Sequence, residues 1–257
     1  MKPRFIPEGP ALLVTGEMRV LVLADIHLGV ESALDAAGWH LKSSTEERLS
    51  RIIACIDTTD PDLVILLGDL KHSVPRITWQ EHTELPGVLN TIRKRVPIGL
   101  LPGNHDVGIE RYMEEGELLP KNGVVIDGTG YLHGHTYPSP DLAGHLIVSG
   151  HHHPVLHLYD EVGCSLRGSP AFLLAEVDEA VLRMKHAKRP TRLLLMPAFY
   201  EYAGGIDIRT LPESGISPLS RSIRIDTAEV FLSDGTYIDT LESLRSDQNT
   251  GPARRTD

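Results

Sequence analysis

The chain has 257 residues and a formal charge of −10, so it is moderately acidic and long enough to bury a sizeable core. Glycine and proline, 23 and 18 residues, stay well below the share of a low-complexity chain, and most of the sequence should fold. Two cysteines, Cys55 and Cys164, stand far apart outside any CxxC spacing, which excludes a disulfide framework and a thiolate zinc site. No apolar run reaches a membrane span and residues 1–10 have no signal-peptide core, so the expected setting is reducing and cytoplasmic, with no membrane partner.

In chain order, residues 11–14 and 19–24 flank Thr15-Gly16-Glu17 and are expected to pair as a hairpin. Residues 20–24 are an apolar run that stops at Asp25, and residues 63–67 stop likewise at Gly68-Asp69. The same pattern recurs where residues 98–101 meet Pro102-Gly103-Asn104, where Tyr131-Leu132 meets His133, and where residues 145–149 meet Gly150-His151. Short apolar runs closed by glycine read as strands buried on both faces. Between the first two strands, Ser44-Thr45-Glu46-Glu47 has the form of a capping box ahead of Leu49, Ile52, Ile53 and Ile56. A helix is expected there, with Cys55 packed beside its apolar stripe. A second helix is expected over residues 79–95, interrupted at Pro86-Gly87. Strands alternating with helices imply a largely parallel sheet whose ligands gather beyond the carboxyl ends of its strands.

The second half reads as antiparallel. Residues 155–159 and 164–168 suit a hairpin, residues 171–188 contain a possible helix, residues 192–197 a strand, and residues 228–241 a hairpin turning at Asp234-Gly235. With no internal repeat and no linker, a single domain is expected over residues 1–245, with its motif core at 20–155 and a frayed polar tail at 246–257.

Eight of the thirteen histidines fall in five short windows, and four of these windows directly follow an apolar run. Carboxylate oxygen mixed with imidazole nitrogen is the donor set of manganese, iron and zinc, whereas calcium favours oxygen throughout. Asp25, Asp69, Asn104 and the histidines exceed what one tetrahedral ion can use. If Asp69 bridges, two ions about 3.5 to 4 Å apart share the set, the separation of two-metal phosphoryl hydrolases. Two dications outweigh Asp25, Asp69 and a hydroxide, leaving a positive cluster suited to an anionic phosphate ester despite the acidic balance of the chain.

The ordered set Asp25-x-His27, Gly68-Asp69, Gly103-Asn104-His105-Asp106, His133 and Gly150-His151-x-His153 resembles the calcineurin-like metallophosphoesterase signature, in that family's order and with no motif missing. The wording of Gly68 to His72, of His133-Gly134-His135-Thr136 and of Met196-Pro197-Ala198-Phe199 is similar to the archaeal SbcD-related phosphoesterases and their bacterial DNA-ligase-associated relatives. The resemblance implies an α/β fold, a four-layer αββα sandwich of two mixed sheets flanked by helices. It also implies a site in which Asp25, His27, Asp69 and His153 hold one divalent ion and Asp69, Asn104, His133 and His151 a second. Mn2+ is the first choice, with Fe or Zn as alternatives. A metal-activated hydroxide would then attack phosphorus, His105 would act as acid or hydrogen-bond donor at the leaving oxygen, and Asp106 would orient His105.

His72 and Arg167 are further candidates for substrate contact, with a role supporting the metal ligands or facing solvent for His72 and a surface ion pair for Arg167 as the plain alternatives. His135 and His152 neighbour the motifs without an assigned role. Arg183, Lys185, Lys188, Arg189 and Arg192 place five cations in ten positions, and a solvated helix end is favoured there over a nucleic-acid contact. The expected substrate is a phosphodiester, DNA or RNA among them, and the expected role is that of a nuclease in repair. The alternatives are a small nucleotide or other small phosphate ester and, in a different class, a non-catalytic protein-binding scaffold on the same fold.

Overall fold

The computed structural model describes residues 2–160, 163–201 and 203–246. Apart from residue 246, the expected polar tail lies outside the described residues, and so does the side chain of Cys164.

A first sheet runs in chain order through β1 (Lys2–Ile6), β2 (Ala11–Thr15), β3 (Arg19–Leu23), β4 (Leu63–Leu66) and β5 (Ile98–Leu100). The β2–β3 hairpin is the one expected, and β1 extends it as an antiparallel edge. From β3 to β5 the pairing is parallel. Parallel neighbours need long crossovers, and helices fill them. After β3 come α1 (Val30–Ala36) and α2 (Thr45–Thr59), and α3 (Trp79–Arg93) joins β4 to β5. Side-chain alternation then divides the sheet. Leu13, Leu21, Leu23 and Leu66 bury against Ile52, Cys55 and Ile56 of α2 and Leu85, Leu89 and Ile92 of α3. Leu12, Val14, Val20, Val22 and Ile65 belong instead to the core shared with the second sheet.

That second sheet comprises β6 (Val124–Ile126), β7 (Thr129–Leu132), β8 (Leu146–Ser149), β9 (Pro154–Asp160), β10 (Gly163–Glu176), β11 (Arg192–Leu195) and β12 (Ile206–Asp207). Their order is β12-β9-β10-β11-β8-β7-β6, with β13 (Glu229–Leu232) added to β10 and β14 (Tyr237–Thr240) to β13. β7, β8 and β11 are parallel, while β9–β10 and β13–β14 form the expected hairpins. The helical cover on this side is short: α4 (Pro218–Ser222) and α5 (Leu241–Ser246) contribute Leu219, Leu241 and Leu244 to the shared core. The α/β architecture of two mixed sheets and flanking helices is as expected.

Three local expectations are corrected. The helix within residues 171–188 is absent, because β10 stays extended to Glu176 with β11 on one side and β13 on the other. Its Ala171 to Leu174 run is apolar on both faces, a pattern that periodicity alone assigns equally to a buried helix. Helix α3 passes through Pro86 unbroken, since Leu85, Val88, Leu89 and Ile92 are buried on either side of it and their burial outweighs the roughly 3 kcal/mol cost of an interior proline. At the start of α2, Ser44 makes no side-chain cap. Its N–H donates instead to Glu31 Oε1 at 3.3 Å, and the Thr45 hydroxyl donates to Glu84 Oε2 at 2.6 Å. Among the described residues no helix is long and apolar enough to cross a membrane.

Candidate dimetal site

The residues after β3, β4, β5, β7 and β8 converge where the two sheets meet, and the backbone there is unusual. Asp25, His27, Asp69, His151 and His153 all have positive φ, at 53°, 49°, 47°, 71° and 44°. For a non-glycine residue this conformation costs roughly 1 kcal/mol or more and persists only where surrounding contacts enforce it. Enforcement comes from main-chain bonds between the loops. The Asp25 N–H donates to Gly68 O at 3.2 Å, the His27 N–H to Asp69 O at 2.9 Å, and the Gly150 N–H to His133 O at 3.0 Å. Two glycines permit the close approach. A Cβ on Gly68, whose φ is +72°, would lie 2.6 Å from both Gly103 N and His133 Nδ1, and one on Gly150 would lie 2.6 Å from Asp25 Oδ2.

Three groups of donors result: one is all imidazole, His27, His72 and His105, and the other two each include a carboxylate. Asp25, His27 and His153 present ligand atoms within 4.8 Å of one another, and so do Asp69, His133 and His151. One oxygen faces both groups: Asp69 Oδ2 lies 3.9 Å from His27 Nε2 and 3.5 Å from His133 Nε2. Asn104 joins the Asp69 group, its Oδ1 3.3 Å from His133 Nε2. His27 Nε2 stands 3.4 Å from His153 Nε2, and Asp25 Oδ1 stands 3.4 Å from His153 Nε2. These gaps suit a shared cation, because two donors each about 2.1 Å from one ion lie about 3 to 4 Å apart. Asp25 Oδ1 is buried without a hydrogen-bond partner among the described residues, while Oδ2 accepts from the His151 N–H at 2.9 Å. An orphaned carboxylate oxygen in the interior is costly unless a cation neutralises it.

Protonation also suits metal binding. Burial opposes charge on both carboxylates, yet His153 and His133 hold Asp25, and His133 holds Asp69, below the usual carboxylate range. Burial pushes His27 down to about 3 and, together with the positive neighbour His133, pushes His151 to about 3, so both imidazoles are neutral. His133 goes the other way: burial opposes its charge, but Asp69 and Asp25 raise it to about 9, so ion binding there must displace a proton. Its Nδ1–H donates to Leu67 O at 2.6 Å, which turns Nε2 toward Asp69 and Asn104.

The residues expected to act around the metals are partly rearranged. His105 donates its main-chain N–H to Asp69 Oδ1 at 2.8 Å, and its ring Nδ1 donates to the His72 carbonyl. Asp106 was expected to orient that ring, but its buried carboxylate accepts from the main chain instead. Its partners are Leu70 N at 2.9 Å, Lys71 N at 3.3 Å and Gly103 N at 2.8 Å. Burial and the nearby Asp69 raise the Asp106 carboxyl to about 6. His72 lies inside the cluster, its Nδ1 3.2 Å from His27 Nδ1. Arg167 is exposed on β10 and does not join the cluster. The basic run begins at Arg183, whose guanidinium lies over the Tyr137 ring, and ends at Arg192. Arg192 pairs with Leu146, at the end of β8 remote from Gly150. His152 points away, its Nδ1 on Gly150 O and its Nε2 2.6 Å from the Ser217 hydroxyl, whereas the His135 ring lies 5.2 Å from His133.

Two features went unread in the sequence. The Tyr200 ring packs edge-on against His27 at 5.1 Å and His153 at 6.2 Å. Behind it, fully buried Arg48 pairs with Glu31 at 2.9 Å and Glu201 at 2.8 Å and also reaches the His27 carbonyl. Arg48 hides in the amphipathic spacing of α2, and Tyr200 follows the Met196-Pro197-Ala198-Phe199 wording, which was the only available pointer to it.

Comparison with known proteins gives the family and the fold. A family profile described as calcineurin-like phosphoesterase matches residues 18–168. Serine/threonine-protein phosphatase CPPED1 from Pongo abelii is 44% identical over 50 residues, and its counterpart from Bos taurus is 46% identical over 50 residues. Each alignment covers 19% of this chain, which thus spans only 16% of the length of these relatives. The crystal structure of Pseudomonas putida nuclease MPE is 20% identical and superposes with a TM-score of 0.50, covering 91% of this chain and 96% of that one, a likeness of fold.

Proposed function

This chain belongs to the calcineurin-like phosphoesterase family, and from that premise we propose that it hydrolyses phosphodiester bonds of nucleotides or nucleic acid with two divalent ions. The observation that carries the reading is the pair of donor groups facing one shared oxygen, Asp69 Oδ2. Asp25, His27, Asp69 and His153 would hold one ion, and Asp69, Asn104, His133 and His151 the other. The mixed carboxylate, amide and imidazole donors favour Mn2+, with Fe or Zn as alternatives. When bound, such ions supply a water nucleophile at neutral pH and withdraw charge from the phosphoryl oxygens.

The protein's own groups do the rest. With Nδ1 committed to the His72 carbonyl, His105 keeps Nε2 as its free edge, where it can give a proton or a hydrogen bond to the leaving oxygen. Asp106 is a positioning residue: it ties Gly103 to Leu70 and Lys71, and this brings the His105 N–H onto Asp69. His72 sets the tautomer of His105 through its carbonyl and stands beside His27, within reach of a phosphate oxygen. The nuclease reading and a role in DNA repair rest on the subfamily resemblance; of the basic run, Arg192 lies at the end of β8 remote from Gly150 and Arg183 stacks on Tyr137. A single-domain organisation over residues 1–245 is part of the same proposal.

Chelator-stripped protein should regain hydrolysis of an aryl phosphodiester on addition of Mn2+. Asp69→Ala and His105→Ala should each lose about a hundredfold or more in kcat with little change in fold. Undiminished turnover in both variants would contradict the assignment.

A further inference from the structure

A cavity of about 420 Å3 opens beside the cluster, and His153 belongs to both. Tyr200 is likewise shared, lining the cavity while its ring touches His27 and His153. A group ester-bonded to a phosphorus held at the cluster would therefore reach this space directly.

The lining restricts what that group is. Five prolines and half-buried Tyr200 present apolar surface, while the Phe199 ring is fully buried beneath Gly9 and the Arg51 guanidinium. The arginine on the wall, Arg51, is already engaged: Nη1 lies 3.3 Å from Glu201 Oε2, Nη2 donates to Phe199 O at 3.2 Å, and the guanidinium sits 4.6 Å from the Phe199 ring centre. Glu8 and Glu201 add two carboxylates to the wall. Glu201 is neutralised by Arg48 and Arg51. Glu8 accepts from the Thr58 hydroxyl through Oε1 and keeps a buried Oε2 without a partner among the described residues, which disfavours a second phosphate. The volume is that of a small-molecule site and excludes a duplex. An uncharged group with a ring to lie on Tyr200 and the prolines and an N–H or O–H donor for Glu8 fits all of these features. We propose that this cavity is a nucleoside subsite that seats the single nucleoside bonded to the reacting phosphorus. The inference rests on the phosphodiesterase reading above and narrows it to strand ends or small nucleotide esters.

Ala203 and Ser233 line the cavity without touching the cluster, so Ala203→Trp and Ser233→Trp would fill it. The test compares Mn2+-loaded protein on methyl 4-nitrophenyl phosphate and on thymidine 5′-(4-nitrophenyl phosphate), which release the same leaving group. Wild-type kcat/KM should be about tenfold or more higher for the nucleoside ester. Each variant should keep its turnover of the methyl ester within about twofold and lose that preference. Thymidine alone, followed by saturation-transfer NMR, should contact wild type and neither variant. No nucleoside preference in wild type, or preference retained in both folded variants, overturns the subsite. Thymidine contact without turnover of either ester keeps the subsite and defeats the hydrolase reading instead.

Discussion

At the residue scale, the site depends on side chains held in protonation states they would not adopt in water. His27 and His151 are pushed by burial to about 3 and His152 to about 4, all below the 6.5 of an unfolded chain. A depressed group contributes stability that is complete above its unfolded value and is lost as pH falls toward the folded one. Asp106, raised by burial to about 6, works in the opposite sense, its contribution being lost as pH rises through 6. With His135, which burial also pushes to about 4, four histidines outnumber one carboxyl, so the melting temperature of chelator-stripped protein should drop as pH falls from about 6.5 to 4. His152→Asn should flatten that drop, because its imidazole is buried between Gly150 and Ser217. A melting temperature constant across that window would contradict the buried neutral state. The donors were legible in the sequence because metal chemistry restricts them to few residue types in short motifs. Their positive φ values were not, since the enforcing bonds come from other loops. The role of Asp106 is hidden for the same reason: adjacency to His105 suggests a side-chain contact, while its partners are the main chain of Gly103 and of the loop after β4.

At the scale of elements, α3 is coupled to the site through its first turn. The Thr78 hydroxyl accepts from Glu81 N at 3.2 Å, and Glu81 Oε2 accepts from Thr78 N at 2.7 Å. The other oxygen of fully buried Glu81 accepts from His72 N at 3.0 Å and Ser73 N at 2.6 Å, joining the helix start to the segment that sets His105. Thr78→Ala should cost about 1 kcal/mol in urea unfolding, the usual worth of an N-cap, and Thr78→Ser should restore it. Equal stability of wild type and Thr78→Ala would show that the box adds nothing. The strands feeding the site were legible because each apolar run stops at a motif. Elsewhere the balance lay in tertiary contacts: Pro86 is tolerated by packing on α2 and the first sheet, and β10 is extended because two neighbours pair with it.

For the whole molecule, the site exists because two sheets bring their strand ends to one place. The first sheet contributes Asp25, His27, Asp69 and Asn104, and the second contributes His133, His151 and His153, so neither half holds a complete donor set. Asp69 is the residue on which the two donor groups meet. The sequence order of the motifs conveyed the two-sheet fold through family resemblance, while the cavity beside Tyr200 required the β1–β2 turn, α2 and the segment after β11 to be assembled first. The most direct test is the Mn2+ content of protein dialysed against the metal and assayed by elemental analysis. Wild type should retain two ions per chain, Asn104→Ala close to one, and Asp69→Ala neither tightly. One ion in wild type, or two in Asp69→Ala, would contradict a shared dinuclear centre.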